Sequence, residues 1–210
     1  MNGKGILIVV SGFSGAGKGT LMKRLLEKYE ETYALSISAT TRQPREGEVD
    51  GREYFFKTKE EFEKMIAKAE LIEYARYVEN YYGTPKAYVE EQLNAGKDVI
   101  LEIEIQGALK VKKAFPDTLL LFVVPPSAEE LKRRLVGRGT ESMEVIVSRL
   151  KRAVEESEGM EEYDYLVVND DLEACVEQMH HIIQSEHLRT TRNEAFVEKL
   201  KEELKGLKGE

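Results

Sequence analysis

The sequence predicts an α/β fold in which helices flank a parallel β-sheet. Strand-like and helix-like segments alternate along most of the 210 residues, which is the order that consecutive βαβ units produce. The first unit places a glycine-rich loop between an apolar, β-branched run and a helical segment. A chain of this length can bury a substantial core. We therefore expect one domain over residues 1–210.

The spacing of the apolar residues predicts the individual strands and helices. Strands are predicted at residues 6–10, 34–38, 99–105, 118–124 and 165–168. Helical spacing follows the glycine-rich loop and returns at residues 85–95, 106–114, 128–136, 143–157 and 172–186. Thr58 with Glu61, and Ser127 with Glu130, form capping boxes that predict two helix starts, and Gly96 marks a helix end.

Two stretches interrupt the alternation and divide the domain. Residues 37–87 combine a basic loop, several tyrosines and short strand-like pieces, and are interpreted as an inserted subdomain. Residues 130–158 are dominated by charged side chains and are interpreted as a mobile helical lid. The core then comprises residues 1–36, 88–129 and 159–190. The helical tail, residues 191–210, carries an apolar stripe that either docks onto its own domain or forms a dimer contact.

Composition and charge exclude several classes of function. The net charge of −8 argues against a surface for nucleic acid polymers or anionic membranes, so a site for anionic ligands requires a local cluster of cations. The longest apolar runs are too short to span a bilayer, and the first residues show no signal-peptide pattern. Cys175 is the one cysteine of the sequence, so an internal disulfide is impossible. These features predict a reduced, cytoplasmic environment.

The glycine-rich loop is the most informative motif and predicts a sheet of the P-loop NTPase type. Its backbone N–H groups and the following helix N-terminus attract phosphate, and Lys18 can reach the β- and γ-phosphates of a nucleoside triphosphate. The alternative is an ordinary glycine-rich turn with an exposed lysine. Gly19 stands where most such loops place a Ser or Thr that binds Mg²⁺, and Thr20 follows one residue later. The residues predicted to bind the triphosphate are Gly12, Ser14, Gly15, Ala16, Gly17, Lys18, Gly19 and Thr20.

A second cluster of cations lies in the basic loop of the insertion. Arg42 and Arg45 are separated by a glutamine and a proline and have hydroxyl-bearing neighbours. Two guanidinium forks on one loop suit a second phosphate, which they can bind bidentately. A solvated basic loop is the alternative when this segment is considered alone.

Several segments together resemble the guanylate kinases. The longest runs from Ser38 to Phe56 and includes both arginines. The others are Asn80-Tyr81-Tyr82-Gly83-Thr84, Leu101-Glu102-Ile103-Glu104-Ile105-Gln106-Gly107, Pro125-Pro126-Ser127, Gly137-Arg138-Gly139-Thr140 and Val168-Asn169-Asp170-Asp171. The resemblance is collinear from about residue 5 to residue 184. It implies phosphoryl transfer from ATP to GMP and dGMP, with Mg²⁺ as cofactor, and it makes residues 37–87 the GMP-binding subdomain.

The resemblance also implies roles for individual residues. The residues that match the grip on the GMP phosphate are Arg42, Arg45, Tyr54 and Tyr82, and those that match guanine recognition are Ser38, Glu73 and Thr84. The lid arginines that match those closing over the transferred phosphoryl group are Arg134, Arg138 and Arg149, and Asn169 falls on the adenine side of the donor. The catalytic set implied in this way is Lys18, Arg42, Arg134, Arg138 and Arg149, of which Arg134 and Arg138 also bind ATP.

Guanine recognition by Glu73 has a simple chemical basis. Guanine presents N1–H and an amino group as donors beside the O6 acceptor, so a carboxylate can accept from both donors while a hydroxyl donates to O6. Adenine presents an acceptor at N1, which the carboxylate repels, and unpaired buried groups of this kind discriminate strongly. Without the resemblance, an ordinary solvent-facing strand residue is the favoured interpretation of Glu73.

Two further carboxylates lie in a predicted strand. Glu102 and Glu104 alternate with apolar residues, so both are expected on one side of the strand, at its carboxyl end and facing the nucleotide crevice. There they can hold the water shell of Mg²⁺ or contact the acceptor nucleotide. We assign Glu104 to GMP and Glu102 to a water-mediated metal contact, with no direct protein ligand to the metal. Glu104 stands where the family usually has Asp.

The predicted chemistry needs no general base, because the GMP phosphate is already an anionic nucleophile. Catalysis then requires alignment and charge neutralisation, and a lid that excludes water. Two alternatives stay open. One is a catalytically silent guanylate-kinase-like binding module, and the other is a P-loop kinase for another nucleotide or a small metabolite. Both a monomer and a homo-oligomer fit the sequence.

Overall fold

The computed structural model describes residues 3–77, 79–137 and 142–207 of the chain. In chain order the strands are β1 (Leu7–Gly12), β2 (Tyr33–Leu35), β3 (Ala39–Thr40), β4 (Phe55–Phe56), β5 (Leu71–Tyr77), β6 (Asn80–Pro85), β7 (Asp98–Glu102), β8 (Leu119–Val124) and β9 (Tyr165–Val168). The helices are α1 (Lys18–Lys28), α2 (Lys59–Ala67), α3 (Lys86–Asn94), α4 (Ile105–Ala114), α5 (Ala128–Gly137), α6 (Met143–Ser157), α7 (Leu172–Glu186) and α8 (Glu194–Gly206). The chain forms two compact units, Met1–Asp170 and Asp171–Glu210.

The larger sheet confirms the predicted α/β fold. Its five strands are parallel and lie in the order β2-β7-β1-β8-β9. Val9, Leu101 and Leu120 on its three central strands are completely buried, because such strands are covered on both faces. The carboxyl end of β1 lies between those of β7 and β8, which is the part of an open α/β sheet where ligands bind.

A second, smaller sheet occupies the insertion at residues 37–87. Its strands lie in the order β4-β3-β6-β5, with β5 and β6 as an antiparallel pair. α2 begins with the predicted capping box, in which Thr58 Oγ1 accepts from the Glu61 N–H at 3.1 Å and the Glu61 carboxylate accepts from the Thr58 N–H at 2.7 Å. The Phe62 ring of α2 stacks on Tyr81 of β6, with 5.2 Å between centroids, so the helix and the sheet share an apolar contact.

Two predicted strands are wrong in their extent. The strand predicted at residues 34–38 ends at Leu35, and the chain enters the second sheet at Ala39. The strand predicted at residues 99–105 ends at Glu102, and α4 begins at Ile105. Ile103 and Ile105 both pack against the core, one from the turn and one from the helix, so the apolar alternation continues after the strand has ended.

The two helix-end predictions near the core have different outcomes. Gly96 follows α3 with φ of 84°, as predicted for a terminating glycine. At the start of α5 the Ser127 hydroxyl accepts from the Glu130 N–H at 3.1 Å, which is one half of the predicted box. The Glu130 carboxylate instead binds Arg133 and Arg134, because both guanidinium groups lie one helical turn away.

α5 and α6 pack on each other through a small apolar cluster. Leu131 and Leu135 of α5 meet Ile146 and Ala153 of α6, and Phe13 from the glycine-rich loop packs against the same cluster. The predicted lid residues therefore contact the loop through an apolar side chain as well as through charges. Within the described part of the chain, none of the helices combines the length and apolar character needed to cross a membrane.

The second unit consists mainly of α7 and α8. Glu186 at the end of α7 is buried, and its carboxylate binds the guanidinium groups of Arg189 and Arg192 at 3.2 and 3.8 Å. Cys175 is buried, and burial raises the pKa of its thiol to about 11. The thiol is therefore protonated and unreactive at neutral pH.

Candidate active site

The glycine-rich loop connects the end of β1 to the start of α1, as the sequence predicts. Gly12 ends the strand so close to β8 that a Cβ atom there would lie 2.1 Å from the Val123 carbonyl oxygen. Gly17 precedes the helix with φ of 89°, in the left-handed region that glycine favours. Both positions therefore require glycine. The N–H groups at the start of α1 face the loop, where a phosphate can bind.

A cavity of about 270 Å³ lies within this loop. It is lined by Phe13, Ser14, Gly15, Gly17, Lys18, Gly19, Thr20 and Glu102. The Lys18 ammonium lies over the loop and donates to the carbonyl oxygens of Gly12 and Phe13 at 2.6 and 3.2 Å. A cation beside a loop of backbone N–H groups can bind a polyphosphate together with them.

Asn169 and Arg134 bind the backbone of the loop from outside the cavity lining. Asn169 is buried and donates to the Ala16 carbonyl at 2.8 Å. Arg134 donates to the Asn169 carbonyl at 2.9 Å and to the Ala16 carbonyl at 3.4 Å. Arg134 and Asn169, both predicted to bind the donor nucleotide, are thus adjacent. Hydrogen bonds from Arg133 and Arg134 lower the pKa of the Glu130 carboxyl to about 2, which keeps it ionised and fixes Arg134.

Arg149 of α6 reaches the phosphate loop directly. Its Nη1 donates to Ser14 Oγ at 3.0 Å, across a separation of 135 residues in the sequence. The predicted lid therefore supplies one arginine beside the Ala16 carbonyl and another beside the Ser14 hydroxyl. The third predicted lid arginine, Arg138, lies outside the described residues.

A second cluster of charge lies on the basic loop of the insertion. Arg42 Nη2 donates to Glu48 Oε1 at 2.9 Å, and its guanidinium lies over the rings of Tyr54 and Phe56, 5.3 and 5.9 Å from their centroids. Tyr82 packs against Tyr54 at 6.0 Å. The hydrogen bond from Arg42 lowers the pKa of the Glu48 carboxyl and raises that of Arg42, so both remain charged. Three of the four residues predicted to grip the GMP phosphate are therefore together.

Arg45, the fourth, joins this cluster through its backbone. Its N–H donates to Glu48 Oε2 at 2.8 Å, so one carboxylate fixes the positions of both arginines. The Arg45 side chain is exposed. An exposed guanidinium beside a fixed one can close on an incoming anion.

Glu73 and Thr84 form the third part of the site. Thr84 on β6 is completely buried, and its hydroxyl donates to Glu73 Oε1 on β5 at 2.8 Å. Burial raises the pKa of the Glu73 carboxyl, partly opposed by the bond from Thr84 and the charge of Lys110. Glu73 is thus half-buried and hydrogen-bonded rather than solvent-facing. Ser38 precedes Ala39, which pairs with Gly83 next to Thr84, so all three residues predicted for guanine lie on neighbouring strands or at their ends.

Glu102 and Glu104 have separate positions, and the prediction that they share one side of a strand is wrong. Glu102 ends β7 and lines the phosphate-loop cavity. Glu104 is the N-cap residue of α4, and its carboxylate binds Arg152 at 2.6 Å. The turn after β7 separates them, because the chain changes from strand to helix within three residues.

Sequence reasoning missed two carboxylates that hold the arginines. Glu48 was within reach of a sequence argument, because it lies three residues after Arg45 in the same loop. Glu130 lies four residues before Arg134 on a predicted helix, a spacing that places the pair on one face. Both signals were local. The bond from Arg149 to Ser14 joins distant segments and carries no local signal.

A phosphate-binding loop on the central strand of a parallel sheet, with a second sheet carrying an arginine cluster, defines the class of P-loop nucleotide-binding proteins. The sequence model of the guanylate kinase family matches residues 4–186. This chain belongs to the guanylate kinase family.

Two relatives and one solved structure agree with this assignment. The chain is 57% identical over 189 residues to a guanylate kinase of Oceanobacillus iheyensis, covering 90% of this chain and 91% of the relative. It is 54% identical over 192 residues to a guanylate kinase of Lactococcus lactis, covering 91% and 93%. The crystal structure of guanylate kinase from Anaplasma phagocytophilum superposes with a TM-score of 0.69 at 33% identity, covering 90% of this chain and 89% of that one.

Proposed function

We propose that this chain transfers a phosphoryl group from ATP to GMP, giving ADP and GDP, and that dGMP is also an acceptor. The observation that carries the proposal is the half-buried Glu73 carboxylate with its Thr84 partner, on the same small sheet as the Arg42 cluster. The Glu73 carboxylate suits the hydrogen-bond donors of the guanine edge, and the Arg42 cluster suits a phosphate. The relatives named guanylate kinase, which align over nine-tenths of the chain, support the same reaction.

The acceptor base is read by hydrogen bonds of fixed direction. In the proposed complex the Glu73 carboxylate accepts from guanine N1–H and from the amino group. The Thr84 proton is already donated to Glu73, so donation to O6 falls to Ser38. A base with an acceptor at N1 instead sets that acceptor against the ligand-facing lone pairs of the carboxylate, which is the basis of the selectivity.

The phosphate groups are bound by cations from three segments. Lys18 and the loop N–H groups hold the donor phosphates, while Arg42 and Arg45, with Tyr54 and Tyr82, hold the acceptor phosphate. The acceptor phosphate is itself the nucleophile, so no side chain has to remove a proton. The lid arginines Arg134, Arg138 and Arg149 then neutralise charge on the moving phosphoryl group.

Mg²⁺ is the cofactor of this proposal, and the residues present fit it. Among the described residues, no group of three or more His, Cys, Asp or Glu could enclose a metal ion. Glu102 and Thr20 nevertheless supply a carboxylate and a hydroxyl to the lining of the phosphate-loop cavity. Mg²⁺ favours such oxygen groups together with waters and substrate phosphates over a complete protein cage. When bound, it would neutralise phosphate charge.

The parts of the domain have separate tasks in this proposal. The core carries the donor site, residues 37–87 form the acceptor subdomain, and residues 130–158 form a lid that closes to exclude water. We also propose a cytoplasmic location, where reducing conditions suit a protein with a single buried cysteine.

A nucleotide panel tests the proposed function. ADP formation is measured with ATP and Mg²⁺ and, in turn, GMP, dGMP, AMP, CMP and UMP. We expect turnover with GMP and dGMP and little with the other three. Turnover with another acceptor in preference would indicate a different nucleotide kinase. Tight GMP binding in calorimetry without ADP formation would indicate a silent binding module.

A further inference from the structure

An ion pair joins the lid helix α6 to the start of α4 in the core. Arg152 Nη2 lies 2.6 Å from Glu104 Oε1, and Arg152 Nε lies 3.0 Å from Glu156 Oε1. One planar guanidinium therefore bridges a carboxylate of the core and a carboxylate of its own helix. The fork of arginine donors permits this double contact, which the single ammonium of lysine serves less well.

Glu104 lies at the start of a helix that approaches the Glu73 carboxylate. It is the N-cap residue of α4, yet it pairs with Arg152 and, among the described residues of that turn, caps no N–H group. The same turn approaches the base-reading carboxylate, because a Cβ atom on Gly107 would lie 3.7 Å from Glu73 Oε2. The start of α4 thus brings Glu104 and Glu73 to the same part of the acceptor site.

The ion pair with Arg152 can orient the Glu104 side chain but adds little to the stability of the fold. The Glu104 side chain is 63% exposed and the Arg152 side chain 46% exposed, and ion pairs this accessible stabilise a fold little. An unrestrained glutamate of this exposure samples several rotamers, and ordering it on binding costs free energy. Arg152 is itself held by Glu156, whose side chain is only 17% exposed. A restrained cation therefore restrains Glu104 before the ligand arrives.

We propose that Arg152 is a positioning residue for the acceptor nucleotide. It holds Glu104 through Oε1, so that Oε2 is directed to accept a hydrogen bond from the acceptor. Arg152 acts through Glu104 and does not contact the substrate. The inference rests on the proposed function and adds to it a residue of the lid that determines acceptor affinity.

The test measures GMP affinity in Arg152 variants. Calorimetric Kd and steady-state KM for GMP are measured in Arg152→Ala, Arg152→Lys and the control Lys151→Ala, the adjacent exposed residue of α6. We expect Arg152→Ala to raise both constants about three- to tenfold, with kcat and the KM for ATP changed less than about twofold, because only uniform acceptor binding is lost. Arg152→Lys should lie between wild type and alanine, and Lys151→Ala should equal wild type.

A double-mutant cycle shows whether Arg152 acts through Glu104. In a Glu104→Ala background, Arg152→Ala should change the Kd for GMP less than about twofold. Equal effects in both backgrounds, or a wild-type Kd in Arg152→Ala, would overturn the positioning role. A wild-type protein that neither binds nor phosphorylates GMP would instead overturn the proposed function, and the inference with it.

Discussion

The Thr84 hydroxyl donates a 2.8 Å hydrogen bond to Glu73 Oε1 across the β5–β6 pair. Because Thr84 is completely buried, this bond fixes the direction of the carboxylate before any ligand is present. The remaining lone pairs of the carboxylate are left for a ligand that presents donors. The guanine edge does so, whereas the corresponding edge of adenine presents an acceptor at N1.

The Lys18 ammonium should be essential for transfer. Lys18→Met removes the cation that we propose follows the phosphoryl group, and we expect kcat to fall by about two orders of magnitude or more with the fold retained. The matched control is Lys23→Met on the same helix, whose side chain is 77% exposed. Thermal melting checks the fold of both variants. Near-wild-type turnover in folded Lys18→Met would exclude the loop as the donor site.

Glu48 should matter for GMP although it is not expected to touch it. Glu48→Ala removes the carboxylate that holds Arg42 and the Arg45 N–H. We expect the KM for GMP to rise about tenfold, because the arginines must then be ordered during binding. The KM for ATP should not change, and Glu46→Ala, an exposed neighbour, should resemble wild type. An equal rise in both KM values would show that the loop serves general folding.

Acidification should weaken GMP binding through Glu73. Burial raises the pKa of this carboxyl, so it becomes protonated at a higher pH than an ordinary glutamate, and the protonated form cannot accept from both guanine donors. The KM for GMP should therefore rise as pH falls from neutral. Glu73→Gln is the control, because it shares the titration of the GMP phosphate and lacks that of Glu73. Identical pH profiles of the two proteins would contradict the assignment.

The raised pKa of Glu73 affects folding stability in the opposite direction to GMP binding: acidification should favour the folded state while it weakens binding. A carboxyl with a raised pKa in the folded state contributes stability when protonated, and that contribution is lost as pH rises through the folded pKa. Ionised Glu73 thus weakens the fold at neutral pH, and its presence there is consistent with a role in binding.

The lid should close when both nucleotides are bound. Arg149 and Arg134 already contact the phosphate loop, and bound phosphates would add strong acceptors for both. We expect amide hydrogen exchange in α5 and α6 to slow when analogues of ATP and GMP are present together. α2, whose Phe62 stacks on Tyr81 of the smaller sheet, provides an internal reference. Unchanged exchange in α5 and α6 would leave these arginines with a static structural role.

Short sequence motifs were enough to predict the parts of the structure that are formed within a few consecutive residues. The loop from Gly12 to Lys18 is a contiguous motif, and its backbone conformation requires glycine at Gly12 and Gly17. It can therefore be recognised from the sequence. The capping box of Thr58 and Glu61 is likewise formed within four residues. The end of β7 was misplaced because Ile103 and Ile105 remain apolar for packing reasons after the strand has ended.

Contacts between distant segments could not be predicted in this way. The pairing of Arg152 with Glu104 and the bond from Arg149 to Ser14 depend on how α6 packs against the core. Nothing in the local sequence of α6 shows which distant side chain Arg149 or Arg152 contacts. The roles of Glu73 and Thr84 rested on the resemblance, because a single carboxylate in a strand is an ordinary surface feature.

The ratio of GMP to AMP use in Glu73→Gln tests the central claim most directly. The substitution keeps the size of the side chain but presents a donor to a guanine donor, and an unpaired buried group costs about 1–3 kcal/mol. We expect kcat/KM for GMP to fall about ten- to a hundredfold, while AMP use falls less or rises because the new amide donor can meet adenine N1. Arg42 and Arg45 are proposed to bind the phosphate that GMP and AMP share, so they should not alter this ratio. A loss of GMP and AMP activity by the same factor would show that Glu73 does not read the base.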